Sequence, residues 1–258
     1  MTRDSAGSGA ASVGLPDAIT TCLFDLDGVL TKTAVVHAAA WKEMFDAFFE
    51  RWNGEHGADQ APFDKRDDYD SYVDGKPRYD GVDSFLRSRG IELPWGDPGD
   101  SADTETVCGL GNRKNDLVQQ IIDRDGVEAY PGSVKYLDAA HAAGLRLAVV
   151  SSSANCKAIL RSCGLFDRFD EIMDGEIAAR RHIKGKPAPD TFLAAAEALG
   201  ASAADSVVFE DALAGVEAGR NGNFGFVVGV DRVDQADALK EHGADVVVED
   251  LDELLNSK

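Results

Sequence analysis

Beyond Tyr130-Pro131-Gly132, short apolar runs alternate with helix-length segments, and this alternation limits the fold more than any other feature of the chain. Helices are predicted over residues 133–143, 155–163, 188–199 and 213–219. Strands are predicted over 145–150, around Ile172, and over 206–209, 225–230 and 245–248. Strands separated by helices of this length imply a parallel sheet covered on both faces. The fold expected is therefore α/β, a Rossmann-like three-layer core, and ligands of such sheets collect beyond the carboxyl ends of the strands.

A further strand is expected upstream, in Thr21-Cys22-Leu23-Phe24, and it runs into Asp25-Leu26-Asp27-Gly28. Side chains alternate along a strand, so acids at i and i+2 share one side, and Gly28 lets the backbone turn tightly toward whatever they hold. Buried carboxylates without a partner are costly, which makes a cation or a reacting group their expected neighbour. A strand that simply ends in a polar turn is the plainer reading of this run taken alone.

Between that strand and about residue 125 the pattern is helical. Val36, Ala40, Met44, Phe45, Phe48 and Trp52 recur at helical intervals over residues 34–52, with His37 and Trp41 on one face. Helices are also predicted over 80–89 and 111–123. Residues 53–70 mix Gly, Pro and charge without period, and read as an exposed excursion free to vary. The organisation expected is a loose tail over 1–14, a core domain over 15–33 and 126–258, and an all-helical cap domain over 34–125. As an insertion after the first strand, that cap is expected over the ligand-binding edge.

Composition narrows the partners. The 46 acidic residues against 26 basic ones give a net charge of −20, which opposes binding to nucleic acid or anionic membrane. A phosphorylated substrate would also be repelled at long range, so any site for one must concentrate Lys, Arg or a metal locally. Cys22, Cys108, Cys156 and Cys163 form no C-x-x-C pair, which suggests free buried thiols in a reducing compartment rather than zinc or disulfides. No apolar stretch approaches the roughly 20 residues of a membrane span or the core of a signal peptide. A cytoplasmic monomer is the expectation.

Three more polar clusters follow predicted strands. Ser151-Ser152-Ser153, with Asn155 just beyond, opens a helix as an anion-binding loop could, although serine runs are more often caps. Lys186 precedes a helix behind Pro187, and a surface lysine is its default reading. Glu210-Asp211 repeats the motif of acids at a strand end, and two acidic strand ends at one sheet edge suggest Mg²⁺, which binds one or two carboxylates together with water and phosphate. In this order the four clusters resemble the haloacid dehalogenase superfamily of phosphotransferases, over residues 19–230.

That resemblance implies a mechanism. Asp25 attacks phosphorus in line to form an aspartyl phosphate, and Asp27 acts as general acid and base. Lys186 offsets phosphoryl charge, Gly28, Ser151, Ser152, Ser153 and Asn155 bind phosphate, and Asp25, Asp27, Glu210 and Asp211 hold Mg²⁺. Residues 25–42, including Thr33, His37 and Trp41, resemble the opening of the β-phosphoglucomutase family. Gly75-Lys76-Pro77-Arg78 resembles that family's second phosphate-binding turn, and Arg113-Lys114-Asn115-Asp116 its second basic segment.

Each of these cap residues has a plainer reading as packing or surface charge. Together they would bind the second phosphate of a β-glucose 1,6-bisphosphate intermediate and activator. His37 would bridge substrate and Asp27 on closure, with water excluded. Lys32, where the family usually has an acid, and Ala154, in place of a common lysine, depart from the pattern. The resemblance thus implies interconversion of β-glucose 1-phosphate and glucose 6-phosphate, with a small phosphorylated sugar as partner. A sugar-phosphate phosphatase of the same fold and a phosphorylatable signalling module are the alternatives.

Overall fold

The computed structural model describes residues 9–256, which separate into two compact units, 9–32 with 128–256, and Thr33–Val127. The larger unit carries β1 (Thr21–Phe24), β2 (Arg146–Val150), β3 (Glu171–Met173), β4 (Ser206–Glu210), β5 (Phe226–Val230) and β6 (Val246–Val248). These pair in the order β3-β2-β1-β4-β5-β6, every pairing parallel. Around the sheet lie α4 (Pro131–Ala142), α5 (Cys156–Ser162), α6 (Gly175–Arg180), α7 (Asp190–Ala198), α8 (Leu213–Asn221) and α9 (Ala236–His242). The smaller unit holds α1 (Ala34–His56), α2 (Arg78–Ser88) and α3 (Val107–Asp125).

Alternation along β1 and β4 makes the three layers. Leu23 and Val208 join Phe192, Ala195 and Ala196 of α7 and Ala218 of α8 in one apolar cluster. The next residues, Phe24 and Phe209, stack at 4.4 Å, and each meets the ring of Tyr136 from α4 edge-on. Cys22, Leu23 and Phe24 are wholly buried, as both-face burial of a central parallel strand requires. The cysteines are all free, and burial pushes the Cys22 thiol upward.

Three sequence expectations need correction. The loose tail was placed over 1–14, but Gly9–Val13 forms a 3₁₀ turn with Ala10 and Val13 buried. The buried hydroxyl of Tyr136 donates to the Val13 carbonyl at 3.0 Å, which fixes that turn to α4. Residues 1–8 lie outside the described residues. Helices α6 and α9 were not expected. Each is short: α6 starts on Asp174, whose side chain accepts from the Ile177 amide at 2.8 Å, and the first amide of α9, on Ala236, donates to Asp231 in the preceding loop at 3.1 Å.

The third correction concerns the excursion over 53–70. In the smaller unit α1 runs on to His56, where Gly57 at φ 60° ends it. Asn53 and Gln60 exchange two hydrogen bonds that fold the chain back on the helix. Phe63 is then buried among Phe45 and Phe85, its amide donating to Asp46 at 2.8 Å. This segment supplies part of the aromatic core and is not free to vary. Helix α3 begins at Val107 because the Thr106 hydroxyl caps the Gly109 amide. Among the described residues no helix is long and apolar enough to cross a membrane.

Candidate active site

In the larger unit the strand register assembles the polar clusters. Phe24 pairs with Val149 on one side and Phe209 on the other, and the Asp25 amide continues the ladder by donating to the Phe209 carbonyl at 2.9 Å. Asp25, Glu210 and Ser151 therefore leave the sheet at adjacent positions along one edge. Lys186 reaches this edge from the turn before α7: its ammonium donates to Asp25 Oδ1, lies 2.5 Å from Glu210 Oε1, and sits 3.4 Å from the Val150 carbonyl. All three side chains are buried. The surface reading of Lys186 fails because two acids and a carbonyl hold it inside.

Asp25, Glu210 and Asp211 each offer one oxygen to a group spanning no more than 4.8 Å. Glu210 Oε2 accepts from the Ala212 amide at 2.9 Å. Two glycines make the packing possible. A Cβ on Gly28 would lie 1.7 Å from Asp211 Oδ2, and one on Gly215 would lie 1.8 Å from Glu210 Oε1. Gly28 also holds φ at +87°, a left-handed turn that suits glycine.

The charges do not balance within this buried group. Burial, Glu210 and Asp27 raise the Asp25 carboxyl well above the usual carboxylate range against the opposing pull of Lys186. Burial works against the Lys186 ammonium, yet Asp25 and Glu210 outweigh it and raise the value above that of an ordinary lysine. An oxygen-only, buried, acid-rich group facing one ammonium suits a hard divalent cation.

Several expected residues take different places. Asp27 is half-buried and bridges toward Thr31, outside the group of three acids; β1 ends at Phe24, so strand alternation no longer sets its direction. Gly28 has no polar group to offer a phosphate: its N–H donates to the Thr31 carbonyl and its own carbonyl accepts from Arg232. In the serine loop the amides of Ser151, Ser153 and Asn155 donate to the Met173 carbonyl, Ser151 Oγ and Ser153 Oγ. The Ser151 and Ser153 hydroxyls accept the last two of these amides and each keeps a hydrogen to donate. Exposed Lys32, departing from the family pattern, pairs with Glu128 at 2.7 Å.

The smaller unit has its own basic cluster. Buried Lys114 lies 2.6 Å from His37 Nδ1 and 4.7 Å above the Trp41 ring. An ammonium only donates, so Nδ1 accepts and the imidazole proton sits on Nε2. Thr33, also buried, receives the His37 amide on its carbonyl at 2.9 Å. Arg78 bonds Tyr79 Oη at 2.8 Å and Asn112 Oδ1 at 3.1 Å, which sets it against α3, the helix that carries Lys114 and Asn115. Lys76 donates to Ser84 at 3.0 Å, and partial burial lowers its value.

A parallel sheet with this acid–lysine edge and a helical insertion after β1 defines a phosphotransferase-type α/β enzyme. The haloacid dehalogenase-like hydrolase family model matches residues 19–223, and the chain belongs to that family. Over 247 residues it is 55% identical to a β-phosphoglucomutase of Mycobacterium bovis, covering 94% of each chain. A β-phosphoglucomutase of Bacillus subtilis is 34% identical over 233 residues, 90% of each. The crystal structure of a β-phosphoglucomutase from Clostridium difficile superposes with a TM-score of 0.71 at 26% identity, covering 92% of this chain and 93% of that one. This kinship implies a divalent metal and a small phosphosugar substrate, and the three-acid group fits such a metal.

Proposed function

We propose that this enzyme is a β-phosphoglucomutase, interconverting β-glucose 1-phosphate and glucose 6-phosphate through β-glucose 1,6-bisphosphate. The observation that carries this reading is the second basic cluster. Besides the acid–lysine edge of the larger unit, the smaller unit holds Lys114 of α3 against His37 of α1, with Arg78 at the start of α2 bonded to Asn112 of α3. Hydrolysis of one phosphate needs no second set of cations. Identity of 55% to a β-phosphoglucomutase over 94% of both chains supports the same choice.

Asp25 is the nucleophile in this reading. Lys186 bonds its Oδ1, so attack on phosphorus falls to Oδ2, and the phosphoryl group passes from the sugar oxygen to the carboxylate. Asp27 gives its proton to the departing sugar oxygen and takes one from the incoming hydroxyl when the second phosphoryl transfer runs in reverse. Asp25, Glu210 and Asp211 would hold Mg²⁺, which when bound keeps Asp25 ionised and offsets phosphoryl charge. Lys186 and the hydroxyls of Ser151, Ser152 and Ser153 bind the transferring phosphate. Arg78, Lys76, Lys114 and Asn115 take the other, and His37 donates from Nε2 to substrate.

Arg78→Ala tests the assignment. Mutase flux is expected to fall about a hundredfold or more, while Mg²⁺-dependent hydrolysis of a small phosphate ester changes less than about threefold. Equal loss of both activities would contradict the role given to the second cluster.

A further inference from the structure

The loop after β5 reaches both acid-bearing turns. Arg232 donates through Nε to the Gly28 carbonyl at 2.8 Å and through Nη1 to the Glu249 carbonyl at 2.6 Å. Nη2 lies 3.4 Å from Asp250 Oδ1, and the guanidinium stacks 3.6 Å over the Tyr130 ring. Three residues on, Gln235 Nε2 donates to the Asp211 carbonyl at 3.0 Å. Gly28 follows Asp27, so one five-residue loop grips the turn carrying Asp27 and the turn carrying Asp211.

The loop is itself built to be rigid. The Asp231 carboxylate accepts from the amides of Val233, Gln235 and Ala236, and the Asp231 amide donates to the Val248 carbonyl at 2.8 Å. A guanidinium with three engaged nitrogens and a stacked face has little freedom left, and only a planar fork serves several carbonyls at once. The two gripped turns otherwise have to hold clustered acids that repel one another.

We propose that Arg232 and Gln235 are positioning residues that hold the β1 and β4 turns in register, so that Asp27 and Asp211 keep their places beside Asp25. The inference deepens the mutase reading and rests on it for the identity of the reaction. Groups that orient metal ligands from behind contribute about tenfold or more to affinity or rate when removed.

Full-length Arg232→Met and Gln235→Leu test this through melting temperature, Mg²⁺ titration by calorimetry, and kcat and KM for β-glucose 1-phosphate. Expected are melting temperatures within about 3 °C of the parent, kcat lowered about tenfold with KM within about twofold, and Mg²⁺ affinity about tenfold weaker in Gln235→Leu. Arg232→Lys should recover part of the kcat, because an ammonium can reach one carbonyl. Folded variants with unchanged kcat and Mg²⁺ affinity would overturn the proposal. So would losses that follow melting temperature alone, with no recovery in Arg232→Lys. If Arg232→Met does not fold, Gln235→Leu decides by the same criteria. The Mg²⁺ titration needs no sugar, so a parent enzyme without mutase flux would sink the mutase reading and leave this one standing or falling by calorimetry.

Discussion

Asp25 sits in a pocket that holds more acid than base, and its raised carboxyl value has a direct consequence for stability. A group whose folded value exceeds its unfolded one, about 3.9 for Asp, stabilises the fold fully below the unfolded value; that contribution is lost as pH rises through the folded value. Metal-free protein at neutral pH is therefore on the unfavourable side of this linkage. Asp25→Asn should abolish turnover yet stabilise metal-free protein at pH 7 by about 1 kcal/mol, or roughly 2–4 °C by calorimetry. A lower melting temperature would contradict this account of the pocket. Gly28→Ala should do the opposite, because its Cβ would meet Asp211 Oδ2 at 1.7 Å and its φ is +87°. It is expected to cost about 1–2 kcal/mol from the backbone alone, and to weaken Mg²⁺ binding by about tenfold or more in a calorimetric titration. Asp25, Lys186, Glu210 and Asp211 were legible in the sequence because each follows a strand or precedes a helix of a recognisable pattern. Gly215, Arg232 and Gln235 were not, since what they do depends on contacts such as Arg232 to Gly28 that span 204 positions.

At the scale of elements, apolar spacing located the sheet strands and the three long helices of the insertion, because each buries a continuous face. It failed where a single side chain decides the outcome. Phe63 stands in a stretch of mixed polar residues with no period, so nothing local marks it as core, yet it packs 5.3 Å from Phe45 and 4.9 Å from Phe85. Phe63→Ala is expected to destabilise the protein by about 3–5 kcal/mol in urea denaturation, whereas Glu55→Ala on the exposed end of α1 stays within about 0.5 kcal/mol. Loss of similar size at both positions would mean that Phe63 is not held as described. The start of α3 was missed as well: the expected helix began at Gly111, whereas α3 begins at Val107. Gly111 lies inside the helix, where its missing Cβ leaves room for the Tyr79 ring, 2.6 Å from where that atom would be.

Across the whole molecule, a net charge of −20 surrounds a site meant for a phosphorylated sugar. Long-range repulsion should slow encounter at low salt, and only the local cations of the site reverse it. Raising KCl from about 10 to about 150 mM shrinks the screening length from about 30 to about 8 Å, so kcat/KM at fixed free Mg²⁺ is expected to rise over that range. A fall would show that the local positive field dominates encounter. The central claim is that one chain moves phosphate between two positions of a sugar without releasing it. Purified protein supplied with Mg²⁺, β-glucose 1-phosphate and a trace of β-glucose 1,6-bisphosphate tests it by the ratio of glucose 6-phosphate to inorganic phosphate formed. The account predicts glucose 6-phosphate as the dominant product, and inorganic phosphate in its place would contradict it.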